Sequence, residues 1–119
     1  MTITLPWPPT TNTYYRMVSH KVLISQAGRT YRDNVAAAVI AQGGKRLDGR
    51  LSVMVNAYPP DGRVRDIDNL LKATLDSLCH AGVYDNDGQI DELHVMRRGV
   101  RKGGELAVTI QKVCDMARE

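Results

Sequence analysis

The chain has 119 residues, of which 43% are hydrophobic and 24% are charged. This length predicts a single globular domain over residues 1–119 and excludes a multi-domain enzyme with a separate cofactor-binding module. Sixteen basic and thirteen acidic residues give a net charge of +3, which permits a polyanionic partner without requiring one. No apolar run approaches the roughly 20 residues that cross a bilayer, so we expect a cytoplasmic protein without a membrane partner.

The amino-terminal half is predicted to contain three strands and one helix. Alternating apolar and polar residues predict a strand over Thr2–Leu5, and the prolines that follow end it by removing hydrogen-bond donors. A second short strand is predicted over Met17–Ile24, where apolar side chains share one parity. Apolar residues at spacings of three and four predict a helix over Thr30–Gln42, which ends before two glycines. Alternation returns over Leu51–Tyr58 and predicts a strand with one face on the core.

The carboxyl-terminal half is predicted to contain a second helix and two further strands. The helix begins at Asp66–Asp68 and stops at Gly82, whose lack of a side chain suits a left-handed cap. A strand is predicted over Ile90–Val100, and Glu105–Val113 is predicted to be its antiparallel hairpin partner. This order of elements predicts an α+β fold in which two main helices cover one face of a mixed or antiparallel sheet.

Neither a zinc site nor an organic cofactor is expected from the sequence. Cys79 and Cys114 lie outside any CxxC pair, and we interpret the two thiols as reduced packing groups. The chain contains no glycine-rich phosphate loop of the Walker or dinucleotide-binding type. A bound nucleotide cofactor is therefore not expected.

The strongest chemical signal is an acidic motif at the start of the second helix. Asp66 and Asp68 stand two residues apart where an extended segment enters that helix, so both carboxylates can converge on one cation. Mg²⁺ takes one or two protein carboxylates and completes its shell with water and phosphate. Lys72 returns to the same helical face four residues after Asp68 and would place a positive charge beside the metal. The ordinary alternative is an N-cap together with an Asp68–Lys72 ion pair.

A second acidic turn follows this helix and contains Asp85 and Asp87. It lacks the spacing of an EF-hand, because Ile90 stands where that loop needs glycine. Taken alone, the turn has an ordinary loop composition. If the strand beginning at Ile90 packs beside the second helix, Asp87 would meet Asp66 and Asp68.

Arginine supplies 11 of the 16 basic residues, and its planar guanidinium suits phosphate. Basic side chains precede the acidic motif, follow a tyrosine pair and lie at the turn end of the last predicted hairpin. We interpret them as candidate contacts to nucleic acid, with a solvated surface as the ordinary alternative. They are Arg16, Arg63, Arg65, Arg97, Arg98, Arg101 and Lys102.

Five segments spread over nearly the whole chain resemble the RusA family of Holliday junction resolvases, which are small endonucleases of bacteria and their prophages. The central one contains a DxDNxxKxxxDxL pattern followed by an acidic turn before glutamine and isoleucine. The five segments are LPWPPTTNTYYR, SQAGRTYRDNV, RDIDNLLKATLDSL, AGVYDNDGQI and KGG.

The resemblance implies a homodimer that binds four-way DNA junctions and, with Mg²⁺ or Mn²⁺, makes paired nicks in strands of like polarity. By position, Asp66, Asp68 and Asp87 correspond to the metal-binding carboxylates of the family, and Lys72 corresponds to its catalytic lysine. One departure is Asn86, which stands where the family has an acid. Asn86 favours a first alternative, a branched-DNA-binding module without catalysis. A second, independent alternative is a small structural or interaction protein whose acids are only caps and turns.

Overall fold

The computed structural model describes residues 1–113. Its strands are β1 (Thr2–Pro6), β2 (Tyr15–Val18), β3 (Lys21–Ile24), β4 (Leu51–Tyr58), β5 (Ile90–Arg97) and β6 (Glu105–Lys112). Its helices are α1 (Thr11–Tyr14), α2 (Gln26–Ala41) and α3 (Leu71–His80), with 3₁₀ turns at Ile67–Leu70 and Asp87–Gln89. The α+β class and the mixed sheet are confirmed.

The main sheet has the strand order β1-β6-β4-β5, with β4 parallel to β5 and antiparallel to β6. The predicted hairpin between β5 and β6 is therefore wrong, because β4 lies between these two strands. The connection after β5 crosses the carboxyl end of β4, where the amides of Arg98 and Arg101 donate to the carbonyls of Ala57 and Pro59 at 2.8 and 2.9 Å. Alternation and a glycine turn predict two strands, but they do not identify the strand that each one pairs with.

One face of the sheet forms the core beneath α2 and α3. Leu51, Val53, Val55 and Ala57 of β4 are at most 1% exposed, whereas Met54 on the opposite face is 41% exposed. Burial of one valine or leucine side chain stabilises a fold by about 1.5–3 kcal/mol. The strict alternation of β4 is therefore the pattern of a strand with a single buried face, as predicted.

The predicted single strand over Met17–Ile24 is wrong, since this segment divides between β2 and β3. These strands form a separate antiparallel hairpin, and Ser19 and His20 at its tip have φ values of 50° and 65°. Two successive residues with positive φ are typical of a type I′ hairpin turn, whose usual Asn-Gly signature is absent here. The one-turn helix α1 leads into this hairpin.

Helix α2 begins four residues earlier than predicted, at Gln26 instead of Thr30. The Ser25 hydroxyl caps it by accepting a hydrogen bond from the Gly28 amide at 3.0 Å. The first turn carries few apolar residues, so the apolar pattern begins only after the helix has started.

The helix predicted from Asp66–Asp68 begins as the 3₁₀ turn and becomes α-helical at Leu71. Strand β5 ends at Arg97 instead of Val100, because the chain there turns across β4. None of the helices within residues 1–113 is long and apolar enough to cross a membrane.

Cys79 on α3 is a free, half-buried thiol whose Sγ donates to the Asp85 carbonyl at 3.3 Å. It therefore packs beside the acidic turn and has no disulfide partner within the described part of the chain. Cys114 lies outside the described residues.

Two adjacent glycines before β6 provide a test of close packing. Gly103 and Gly104 have φ values of 82° and 71°, so any side chain is strained at either position. A Cβ at Gly104 would also lie 2.9 Å from Trp7 Cβ and 3.0 Å from Pro60 Cδ, whereas one at Gly103 would meet nothing within 4 Å. The backbone at Gly104 is therefore the packing surface for Trp7.

We expect Gly104→Ala to lower the free energy of unfolding by about 3 kcal/mol and Gly103→Ala by about 1 kcal/mol. The shared loss is backbone strain, and the excess at Gly104 comes from the overlap with Trp7 and Pro60. Urea denaturation of both variants measures the difference, and equal losses would contradict the packing argument.

Candidate functional site

Lys72 and Asp87 lie within electrostatic reach of each other, although a helix and a turn separate them in the chain. Lys72 is exposed on the first turn of α3, and the 3₁₀ turn that Asp87 begins packs against this helix. Burial raises the pKa of the Asp87 carboxyl, Lys72 lowers it, and Asp76 raises it further, so that the pKa lies above its ordinary value. The charges of Lys72 and Asp76 therefore both act on the Asp87 carboxyl.

The carboxylate of Asp87 contains a buried oxygen that lacks a partner. Its Oδ1 atom has no hydrogen bond within residues 1–113. A buried polar atom without a partner is uncommon, and an ion or an ordered water is one usual explanation. A carboxylate oxygen is also the donor that a hard divalent cation prefers, so Asp87 has the chemistry of a metal ligand.

Asp66 and Asp68 are exposed at the entrance to α3. Asp66 occupies the N-cap position of the 3₁₀ turn, but its side chain makes no capping hydrogen bond. Neither carboxylate forms an ion pair with another described residue, and Lys72 is therefore not the partner of Asp68 here. Neither the side-chain cap nor the ion pair of the ordinary alternative is therefore present among these contacts.

Residues 1–113 contain no group of three or more His, Cys, Asp or Glu side chains arranged to hold a metal ion. The meeting of Asp66, Asp68 and Asp87 therefore stays a prediction. A magnesium site needs only one or two protein carboxylates, with water and phosphate as the other ligands. The carboxylates of these residues fit that requirement by their chemistry.

A network of three side chains supports the same face of α3. The Asp76 carboxylate accepts short hydrogen bonds from the Tyr14 hydroxyl and, at 2.7 Å, from Arg32 Nη2. Arg32 Nε also donates to the Tyr14 hydroxyl at 2.9 Å. Because Asp76 follows Lys72 by one helical turn, the network fixes the helix beside the candidate site. Asp76 is the third acid of the DxDNxxKxxxDxL pattern and was not among the predicted site residues.

The Asp76 network predicts a dependence of stability on pH. Burial raises the pKa of Asp76, but the hydrogen bonds from Tyr14 and Arg32 lower it by more, so that the folded pKa lies below the ordinary value of 3.8. The ionised carboxylate therefore stabilises the fold at neutral pH, and this contribution is lost as pH falls below about 4 through the folded pKa.

We expect the melting temperature to fall more steeply between about pH 5 and pH 2 in the unmodified chain than in Asp76→Asn. Thermal melts followed by circular dichroism measure both profiles. Parallel profiles would show that Asp76 does not contribute to the acid sensitivity.

A groove of about 710 Å³ opens beside Asp66. One wall consists of the indole of Trp7 and the prolines that follow it, and the other consists of the segments before α3 and after β5. Four of the seven predicted nucleic-acid contacts line it, namely Arg63, Arg65, Arg97 and Arg98. With Asp61 and Asp66 as the acidic lining residues, the groove carries an excess of positive charge.

The other three predicted contacts lie outside this groove. Arg101 lies over the Tyr58 ring, 3.5 Å from its centroid, and pairs with Glu105 at 2.6 Å. Lys102 is exposed in the turn before β6, and Arg16 lies on β2 in a separate shallow pocket. Their part in nucleic-acid binding stays a prediction.

The family model for endodeoxyribonuclease RusA matches residues 6–111. The chain belongs to the RusA family. It is 42% identical over 115 residues to the crossover junction endodeoxyribonuclease RusA of Enterobacteria phage 82, with 93% of each chain covered. The protein of the same name from Escherichia coli strain K12 is 40% identical over 112 residues, with 93% of each covered, and that of phage HK97 is 42% identical over 113 residues, with 92% covered.

Asn86, the departure from the RusA pattern, has a structural role in this chain. Its side-chain oxygen accepts a hydrogen bond from the Gly88 amide at 2.7 Å and caps the 3₁₀ turn that contains Asp87. Asp85, the neighbouring acid, forms an ion pair with Arg46. In this RusA-family chain, Asp87 is therefore the acid of the turn that remains without an ion-pair partner in the described residues.

Gln89 is a second residue of the site that sequence reasoning did not identify. Its side-chain oxygen accepts from the amides of Asp85 and Asn86 at 2.9 and 3.1 Å, and its nitrogen donates to the Gly49 carbonyl at 2.9 Å. These bonds hold the acidic turn against the segment that precedes β4. The glutamine of the RusA motif is thus a residue that positions Asp87.

Proposed function

We propose that this chain is a Mg²⁺-dependent endonuclease that resolves four-way DNA junctions by paired nicks in strands of like polarity, acting as a homodimer. Support comes from its membership of the RusA family, whose curated relatives are named crossover junction endodeoxyribonucleases. The observation that carries the cleavage chemistry is the buried, unpartnered Oδ1 of Asp87 in the same electrostatic environment as Lys72.

Asp66, Asp68 and Asp87 are the proposed ligands of the divalent cation, either Mg²⁺ or Mn²⁺. When bound, the cation lowers the pKa of a coordinated water and polarises the phosphoryl oxygens. Lys72 holds a fixed positive charge beside Asp87, where it stabilises negative charge that develops on the phosphate in the transition state. Asp76 and Gln89 position these groups through the contacts described above.

Affinity for the junction comes from arginines on phosphates. The groove beside Asp66 carries four of them, whereas the proposed carboxylate ligands repel DNA until a cation binds. A homodimer would present two such sites, which suits the cutting of two strands in one junction.

A titration of labelled four-way junction, with and without Mg²⁺, tests the function on native and denaturing gels. We expect junction binding without the cation, nicks in opposite strands only with it, and affinity that falls steeply as salt rises. A duplex of the same sequence is the substrate control, and it should be bound more weakly and left uncut.

Asn86 favours one other candidate function, a branched-DNA-binding module without catalysis. That candidate predicts junction binding with no cleavage under Mg²⁺ or Mn²⁺. Absence of junction binding at moderate salt, together with a melting temperature that Mg²⁺ does not change, would contradict both candidates and leave a structural protein.

A further inference from the structure

We propose that the groove beside Asp66 binds one unstacked nucleobase together with its adjacent phosphate. This inference rests on the proposed function, because it assigns to the groove a defined part of a branched DNA substrate. The groove volume of about 710 Å³ lies within the range of sites that enclose a small ligand. Such a space is too small for a base-paired duplex, whereas a nucleotide that has left the stack fits it.

The aromatic wall of the groove is held rigidly. Trp7 follows β1 and precedes two prolines, whose rings restrict the backbone. The Gly104 backbone lies so close to Trp7 that a Cβ there would be 2.9 Å from Trp7 Cβ and 3.1 Å from Trp7 Cγ, and this contact fixes the base of the indole. Two motifs from opposite ends of the chain, PWPP and KGG, therefore meet at this wall. A preorganised aromatic face binds a base at low entropic cost, because little freedom remains to be lost.

The cations of the groove are fixed beside that wall. The Arg65 guanidinium lies 5.8 Å from the Trp7 ring centroid and pairs with Asp61 at 2.8 Å. Arg97 donates to the Arg65 carbonyl, and Arg98 Nε donates to Asn56 Oδ1 at 2.7 Å. Arg97 and Arg98 form no ion pair with any residue in the described range. Their charges are therefore available to a phosphate.

Exposed apolar side chains complete the lining. Val64 is fully exposed, Val100 is 57% exposed and Ile67 is 37% exposed, and all three line the groove. Contact with duplex phosphates alone would require cations and no apolar surface. Apolar and aromatic surface interleaved with arginines is the combination that binds unpaired bases by stacking and their backbone by charge.

The position of the groove gives the bound nucleotide a role in the reaction. Asp66 lines it, and Asp66 is one of the proposed cation ligands. A nucleotide seated against Trp7 would bring a neighbouring phosphodiester to that carboxylate. The groove would thereby select where, relative to the branch point, the strand is cut.

Trp7 is the one tryptophan of the sequence, so the intrinsic fluorescence of the unmodified chain reports on this wall directly. Without divalent cations, the chain is titrated with oligothymidylate, a four-way junction and a blunt duplex of equal length. Anisotropy of labelled DNA records total binding in parallel. We expect the single strand and the junction to quench Trp7 emission, and bound duplex to leave it unchanged.

The outcomes separate the inference from the proposed function. Unchanged Trp7 emission at saturating junction, with binding and Mg²⁺-dependent nicking both present, would overturn the nucleobase site alone. Absence of junction binding by anisotropy would overturn both. Equal quenching by duplex would also overturn the inference, because it would show that unstacking is not required.

Substitutions provide a second test. Trp7→Leu should weaken binding of the junction and of the single strand by about tenfold, and it should change duplex affinity by less than about twofold. Trp7→Tyr should retain most of the affinity, because tyrosine keeps an aromatic face on which a base can stack. Ile40→Ala, an exposed apolar change on α2, is the control and should change nothing. Thermal melts verify that each variant is folded. Equal affinities of the leucine and tyrosine variants would contradict stacking on Trp7.

Discussion

Replacing Asp68 with asparagine is expected to reduce Mg²⁺-dependent nicking of a four-way junction by about 100-fold or more, while junction binding is retained or strengthened. Asparagine keeps the shape of the side chain and removes the negative charge that would attract the cation. Because the Asp68 carboxylate is exposed and unpaired among the described residues, the substitution should not disturb the fold. Removing a negative charge near bound phosphates also favours DNA.

Asp33→Asn is the matched control, since Asp33 is an exposed aspartate on α2. Nicking is measured on denaturing gels with saturating Mg²⁺, and binding is measured by anisotropy without it. Nicking by Asp68→Asn at the rate of Asp33→Asn would exclude Asp68 from the cation site and weaken the whole assignment.

Replacing Asp76 with alanine is expected to lower the free energy of unfolding by about 2–3 kcal/mol. Asp76 and Arg32 are each only 25% exposed in their side chains, so removal of the carboxylate leaves a partly buried guanidinium and the Tyr14 hydroxyl without their main partner. The network also joins three helices, and its loss would loosen α3 beside Lys72.

A double-mutant cycle with Arg32→Met isolates the interaction between Asp76 and Arg32. We expect a coupling energy of about 1–2 kcal/mol from urea denaturation, because the two side chains share one network. Strictly additive losses would show that the pair contributes no net interaction energy.

The parts of the fold that were predicted correctly are those that a local pattern determines. Strand β4 has the predicted bounds, Leu51–Tyr58, because one buried face enforces strict alternation. The β5–β6 pairing failed for the opposite reason, since the partner of a strand depends on contacts distant in sequence. The turn between β2 and β3 was not predicted, because Ser19 and His20 are not the residue types that usually adopt positive φ in a hairpin turn.

The candidate site divides in the same way. The helical spacing after Asp68 was enough to predict Lys72 as a site residue. Its electrostatic effect on Asp87 could not be predicted, because it depends on the packing of the acidic turn on α3. The role of Asp76 depends on Arg32 and Tyr14, which lie 44 and 62 residues away in the chain. For a side chain that acts through such distant partners, the sequence gives only its position in a motif. Its role can be assigned only when the fold shows its contacts.

The place of β6 in the sheet has a consequence for biosynthesis. It pairs with β1 on one side and β4 on the other, although it is the last of the described strands to be translated. Until it emerges from the ribosome, the edges of β1 and β4 that it joins have no hydrogen-bonding partner, and the pairing must bridge long sequence separations. Before β6 is synthesised, these unpaired edges are exposed to aggregation, and cooperative folding of the domain must follow synthesis of residues 105–112.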